Sequence, residues 1–109
     1  RTAVYAERIR DFALKLPKNE ANKEYIPQLI RSGSSPGANY IEANETLGDK
    51  DFKMKMKTCR REAKESAYWL RMVITDGTTE ANNERAALRQ EAKELVLIFT
   101  AILRKRGGE

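Results

Sequence analysis

Lys50, Lys53, Lys57, Arg60, Arg61, Lys64 and Arg71 fall within one sector of roughly 100° when the chain is wound at about 100° per residue, and Tyr68 lies among them. From Lys50 to Lys64 there are seven basic residues (Lys50, Lys53, Lys55, Lys57, Arg60, Arg61, Lys64) against Asp51 and Glu62, an excess of five that equals the net charge of the whole chain. Such a stripe has the chemistry of a phosphate-backbone binder. Each Lys or Arg can displace a condensed counterion, and a tyrosine can stack on a base. The competing reading is a solvated helix face. With Tyr68 alone placed to stack, little discrimination among bases is expected.

Another sector of the same helix holds Met54, Thr58, Glu62, Glu65, Trp69 and Met72. It is too apolar for a wet surface and points away from the apolar stripe, which suggests a subunit interface; otherwise the tryptophan lies under the next helix of its own bundle. Gln28, Arg31, Ser35, Asn39 and Glu42 recur at three, four, four and three residues. They form a polar seam suited to hydrogen bonding with a partner, or to solvent.

Two Glu-x-x-Glu pairs, Glu42/Glu45 and Glu62/Glu65, raise a third possibility, a magnesium-dependent all-helical nucleotide hydrolase. The helical wheel opposes it, because Glu42 and Glu65 project away from their own apolar faces. The chain has no histidine and a single cysteine, Cys59. This excludes imidazole-based nucleophile pairs and metal sites as well as an internal disulfide. A non-catalytic protein with no metal or cofactor is expected, in a reducing, cytoplasmic setting. No apolar run approaches the ~20 residues of a membrane span, so no membrane partner is expected. The start at Arg1, without an initiator Met, suggests a trimmed chain.

Four helices must position these faces. At 109 residues, with 34% charged and 7% aromatic residues, the chain (1–109) suits one all-α domain. The first helix spans about 3–16, with Val4, Ile9, Phe12, Ala13 and Leu16 inward and Pro17 as terminator. The second spans about 21–47, after Asn19 or Asn22 as cap, with Ile26, Leu29, Ile30, Gly33, Gly37, Tyr40, Ile41 and Leu47 as its stripe. Pro36 either kinks this helix or divides it in two; the surviving apolar phase favours one kinked helix. The third spans about 50–75, on Phe52, Met56, Cys59, Ala63, Ser66, Leu70 and Val73, with Asp49 as N-cap and Asp76-Gly77 as stop. The fourth spans about 80–105, on Leu88, Glu91 or Ala92, Leu95, Ile98, Phe99 and Ile102. Gly107-Gly108-Glu109 should fray. Short connections imply an antiparallel up-down-up-down four-helix bundle.

The run Arg31-Ser32-Gly33-Ser34-Ser35-Pro36-Gly37-Ala38-Asn39-Tyr40-Ile41-Glu42-Ala43, then Asp51-Phe52, then Cys59-Arg60-Arg61-Glu62-Ala63-Lys64-Glu65-Ser66-Ala67-Tyr68-Trp69-Leu70, resembles the 23S rRNA intervening-sequence protein family. The resemblance extends from about Phe12 to Leu70 and implies a four-helix bundle that assembles into a homo-oligomer, a ring of five. It is similar to the accessory variability protein of diversity-generating retroelements, in which a basic surface serves nucleic acid and a reverse transcriptase. By matching position it marks Arg31, Ser32, Ser35, Asn39 and Glu42 on the second helix and Glu65, Tyr68 and Trp69 on the third. It implies no established chemistry. Nucleic-acid binding is therefore the leading expectation, and a protein scaffold the alternative.

Overall fold

The computed structural model describes residues 1–108. Among them run four helices: α1 (Thr2–Leu14), α2 (Glu20–Asn44), α3 (Asp49–Met72) and α4 (Thr79–Lys105). The four-and-three repeat of the third segment does mark its core line, since Met56, Cys59, Ala63, Ser66, Leu70 and Val73 are all buried. On α4 the buried row is Leu88, Ala92, Leu95, Phe99 and Leu103, which settles the choice between Glu91 and Ala92.

Contacts along every adjoining pair run in opposite directions. Gly33 lies beside Ile9 and Gly37 beside Thr2. Arg31 meets Glu62 while Glu42, farther along α2, meets the earlier Lys55. Arg85 meets the backbone of Arg71, and Arg106 meets Asp49. Arg1 meets Glu91 and Arg8 meets Glu84. The helices therefore form an antiparallel up-down-up-down bundle, 45 × 21 × 19 Å, with α3 between α2 and α4. Two contacts cross the core diagonally. Ser66 Oγ donates to Ala63 O at 2.7 Å, so at 2.7 Å from Tyr5 the phenol must donate to Ser66. Tyr40 packs on Phe99 with ring centroids 6.4 Å apart.

α2 is continuous through both Pro27 and Pro36. An interior proline costs about 3 kcal/mol of helix propensity, yet here packing prevails, because Pro36 is buried and its carbonyl accepts from the Cys59 thiol at 3.4 Å. The Ser32 and Ser34 hydroxyls donate to the carbonyls of Gln28 and Ile30, four residues back, at 2.8 Å each; such bonds favour bending.

Several details depart from the sequence reading. Tyr5, not Val4, fills the first turn of α1, and Val4 is exposed. On α2 the buried positions are Asn22, Leu29, Ser32, Gly33, Pro36 and Ala43; Ile30, Ile41 and Leu47 are exposed. The inward face is thus set by small and polar residues that allow close approach, which an apolar count overlooks. Gly48, not Asp49, is the N-cap of α3, and Asp49 instead pairs with Lys53 and Arg106. The first three helices end two or three residues before their expected limits, at Leu14, Asn44 and Met72. Gly107 and Gly108, expected to fray, are hydrogen-bonded to the end of α4. Gly107, at φ 72°, and Gly108 donate to Arg104 O and Leu103 O, the paired closure that glycine permits at a helix end. Glu109 lies outside the described residues.

Candidate nucleic-acid interface

The bundle's grooves differ in charge. Between α1 and α4, Arg1 holds Glu91 and Glu94 at 2.8 and 2.9 Å, and Arg8 holds Glu84 at 2.7 Å. Between α2 and α3, Arg31 bridges Glu62, at 2.8 Å, and Glu65, while Lys55 holds Glu42 at 3.0 Å. Opposite charges thus line both of these grooves.

The groove between α3 and α4 is otherwise. Lys57, Lys64 and Arg71 recur every seven residues along α3, and seven residues are about two turns, so they form one row. Lys64 faces Lys93 across an apolar floor of Ala63, Ala67, Ala92, Val96 and Leu97. Nearer the end of α3, Arg85 reaches the Arg71 carbonyl at 2.9 Å. None of Lys57, Lys64, Arg71, Arg85, Arg89 and Lys93 pairs with a carboxylate among the described residues. Acidic charge enters this groove at one end, where Asp49 accepts from Lys53 and Arg106; those two cations hold its carboxyl below the usual range. Arg106 also stacks 4.0 Å over the Phe52 ring.

The anticipated cationic residues therefore divide. Lys53, Arg60 and Lys64 turn toward α4, with Arg60 Nη1 3.4 Å from Thr100 Oγ1. Lys50, Lys57, Arg61 and Arg71 are exposed, with Arg61 3.7 Å from Glu62. Tyr68 is 51% exposed and meets Trp69 edge-on at 4.9 Å. It sits between the basic row and an aromatic cluster. Arg85, Arg89 and Lys93 of α4 were missed by considering α3 alone; their i, i+4, i+8 spacing along the flank of Leu88 and Ala92 was the available signal.

The anticipated interface residues gather on the opposite side of α3. Trp69 is half-buried, 5.8 Å from the Tyr25 ring of α2, and its indole N–H donates to Glu65 at 3.2 Å. Met54 is 60% exposed and Met72 half-buried. The polar seam faces α3 and bonds within the chain: Arg31 also donates to Gln28 at 3.2 Å, and Asn39 donates to Ser35 O and Oγ at 3.0 and 2.9 Å. Glu62, placed from the wheel on an outer sector, is only 6% exposed beneath Arg31. Three of the four carboxylates weighed for magnesium thus face cations of their own chain: Glu62 and Glu65 meet Arg31, and Glu42 meets Lys55. Burial pushes the Cys59 thiol up to about 11, which opposes a nucleophilic role.

The profile of the 23S rRNA-intervening sequence protein family matches residues 1–101. The fold is similar to the crystal structure of a protein of unknown function from the S23 ribosomal protein family of Bacteroides thetaiotaomicron, with TM-score 0.78 and 27% identity over 94% of each chain. No curated protein matches the sequence. No helix among the described residues is long and apolar enough to cross a membrane.

Proposed function

The chain belongs to the 23S rRNA-intervening sequence protein family, and from that premise we propose that it is a non-catalytic, homo-oligomeric protein that binds the phosphate backbone of nucleic acid. The observation that supports this most is the α3/α4 groove, where Lys64 faces Lys93 and Arg71 adjoins Arg85 without intervening carboxylates among the described residues. Facing like charges destabilise a bundle. A polyanion in the groove would relieve that repulsion and release counterions. The family's name adds an RNA association.

Self-association is proposed through the opposite side of α3, where the exposed Met54 near the start of the helix shares a sector with Glu65, Trp69 and Met72 near its end, with Gln28, Arg31, Ser35, Asn39 and Glu42 along the adjoining edge of α2. The family resemblance makes a ring of five the expected closed form. Copies in a ring would multiply weak single-chain contacts with one strand.

A second reading is favoured by one feature, the apolar floor of the same groove. It suits an amphipathic acidic helix of another protein, such as a nucleic-acid enzyme. One preparation separates the two. Protein purified at low salt should carry nucleic acid, seen as a raised 260/280 nm absorbance ratio that falls after a high-salt wash. A ratio typical of pure protein at low salt, with an acidic protein retained instead, favours the scaffold.

A further inference from the structure

α4 places Arg85 and Arg89 one turn apart on the flank that faces α3, and the Nε of each is buried without an acceptor among the described residues. Arg85 has one evident structural task. Its Nη1 donates at 2.9 Å to the carbonyl of Arg71 in the last turn of α3, where helix carbonyls lack intrahelical partners. That accounts for one nitrogen of Arg85 and for none of Arg89. Burial, and then the charge of Arg89, hold the Arg85 guanidinium below its ordinary value. This is the expected direction where two cations share a site with no counter-charge.

An oxyanion answers every part of this arrangement. It brings negative charge beside two guanidinium groups and, once the two side chains turn outward to expose their buried Nε–H groups, lone pairs for the unsatisfied donors, in the fork geometry that arginine matches. We propose that Arg85 and Arg89 form a seat for one oxyanion, a phosphodiester group when a nucleic-acid strand lies in the α3/α4 groove. The identity of the anion rests on the nucleic-acid reading above; the seat itself does not. Lys93, one turn beyond Arg89, and Lys64 across the groove continue the cationic track from the seat.

The test follows the arginine Nε–H resonances by NMR while inorganic phosphate is added at fixed ionic strength against chloride. The Arg85 and Arg89 signals should shift saturably with phosphate and not with chloride. Thermal unfolding in the same solutions should show a larger phosphate gain in the wild type than in Arg89→Gln, a comparison that removes the general stabilisation phosphate gives any protein. Arg89→Lys keeps the charge but lacks the Nε–H, and should lose most of the specific gain. In a second arm, Arg89→Gln should weaken binding of a single-stranded oligonucleotide about tenfold, the loss of one charge-assisted contact. Unmoved Nε–H signals together with equal phosphate gain in wild type and Arg89→Gln overturn the seat, whether or not nucleic acid binds. Phosphate bound at Arg89 with no oligonucleotide binding upholds the seat and removes the nucleic-acid reading. A loss of oligomer mass in Arg89→Gln without any phosphate effect in the wild type also overturns it, assigning the guanidinium to a carboxylate of a second copy.

Discussion

The side chain of Asn22 and the backbone of Ile74 exchange two hydrogen bonds, Ile74 N–H to Oδ1 and Nδ2 to Ile74 O, each at 2.9 Å. Nδ2 also donates to Pro17 O at 2.8 Å. One fully buried amide thus ties the α1–α2 connection to the segment that leaves α3. Asn22→Leu would strand these groups, each costing about 1–3 kcal/mol when buried without a partner. The melting temperature should fall by roughly 10 °C or more in calorimetry. Asn22→Asp, of nearly equal volume, should also destabilise, since it keeps the acceptor and loses both donors. A variant of wild-type stability would show that solvent reaches this site.

Two glycines of α2 should respond oppositely. A Cβ on Gly33 would lie 2.7 and 2.9 Å from Cγ2 and Cγ1 of Ile9, which is buried and stiff at χ1. Gly33→Ala gains about 1 kcal/mol of helix propensity, but overpacking typically costs about 1–3 kcal/mol. It should lower stability, and Gly33→Val more so. At Gly37 the nearest atom is Thr2 Oγ1 at 3.4 Å, so Gly37→Ala should be neutral or stabilising. Urea unfolding of the three variants gives the ranking; equal effects at both sites would contradict the α1/α2 packing.

Removing Arg31 should harm the fold more than neutralising its buried partner. Glu62 is 6% exposed and bound by Arg31 at 2.8 Å. Arg31→Ala leaves that carboxylate only the longer, exposed contact to Arg61 at 3.7 Å, at a cost of about 2 kcal/mol after allowing for the solvent that still reaches the guanidinium. Glu62→Gln retains an acceptor and should cost less. Urea midpoints in the reverse order would place the balance of charge elsewhere.

Alkaline pH should destabilise the protein over two overlapping windows. Burial raises the Cys59 thiol to about 11 and the Tyr5 phenol to about 12, against unfolded values of about 8.5 and 10. Between each pair of values the unfolded chain has lost its proton and the folded chain has kept it, so stability falls as pH rises; below about 8.5 neither group contributes. Cys59→Ala should flatten the first part of the fall in denaturant titrations from pH 8 to pH 11, within roughly that window. At neutral pH a thiol reagent should modify Cys59 only as fast as the chain unfolds. Rapid native labelling would contradict its burial.

The sequence made the bundle legible where packing follows apolar period. The α3 core line from Met56 to Val73 is as the repeat indicates, and so are Leu88, Leu95 and Phe99 of α4, whereas Ile98 is exposed and Leu103, not Ile102, completes the buried α4 row. It misled on α2, because that helix packs through Asn22, Ser32, Gly33 and Pro36, residues whose small size or satisfied hydrogen bonds, not hydrophobicity, suit them to the interior. The same gap hid the charge pattern. A wheel for α3 shows Lys57, Lys64 and Arg71 on one flank but not that Arg85, Arg89 and Lys93 line the facing flank of α4, a relation that exists only once two helices are docked. The polar seam of α2 was visible as a pattern, and its partner, Arg31 to Glu62 and Glu65 of the same chain, was not.

If the α3/α4 groove binds a phosphate backbone, its binding to a labelled duplex should weaken steeply as salt rises. If about four cations engage, the log–log slope of affinity against salt should be about −3.5. Lys57→Glu/Lys64→Glu/Lys93→Glu should abolish binding while helicity and oligomer mass stay unchanged, since Lys57, Lys64 and Lys93 are exposed and outside the core. An affinity indifferent to salt, or one that the triple variant leaves intact, would contradict the account.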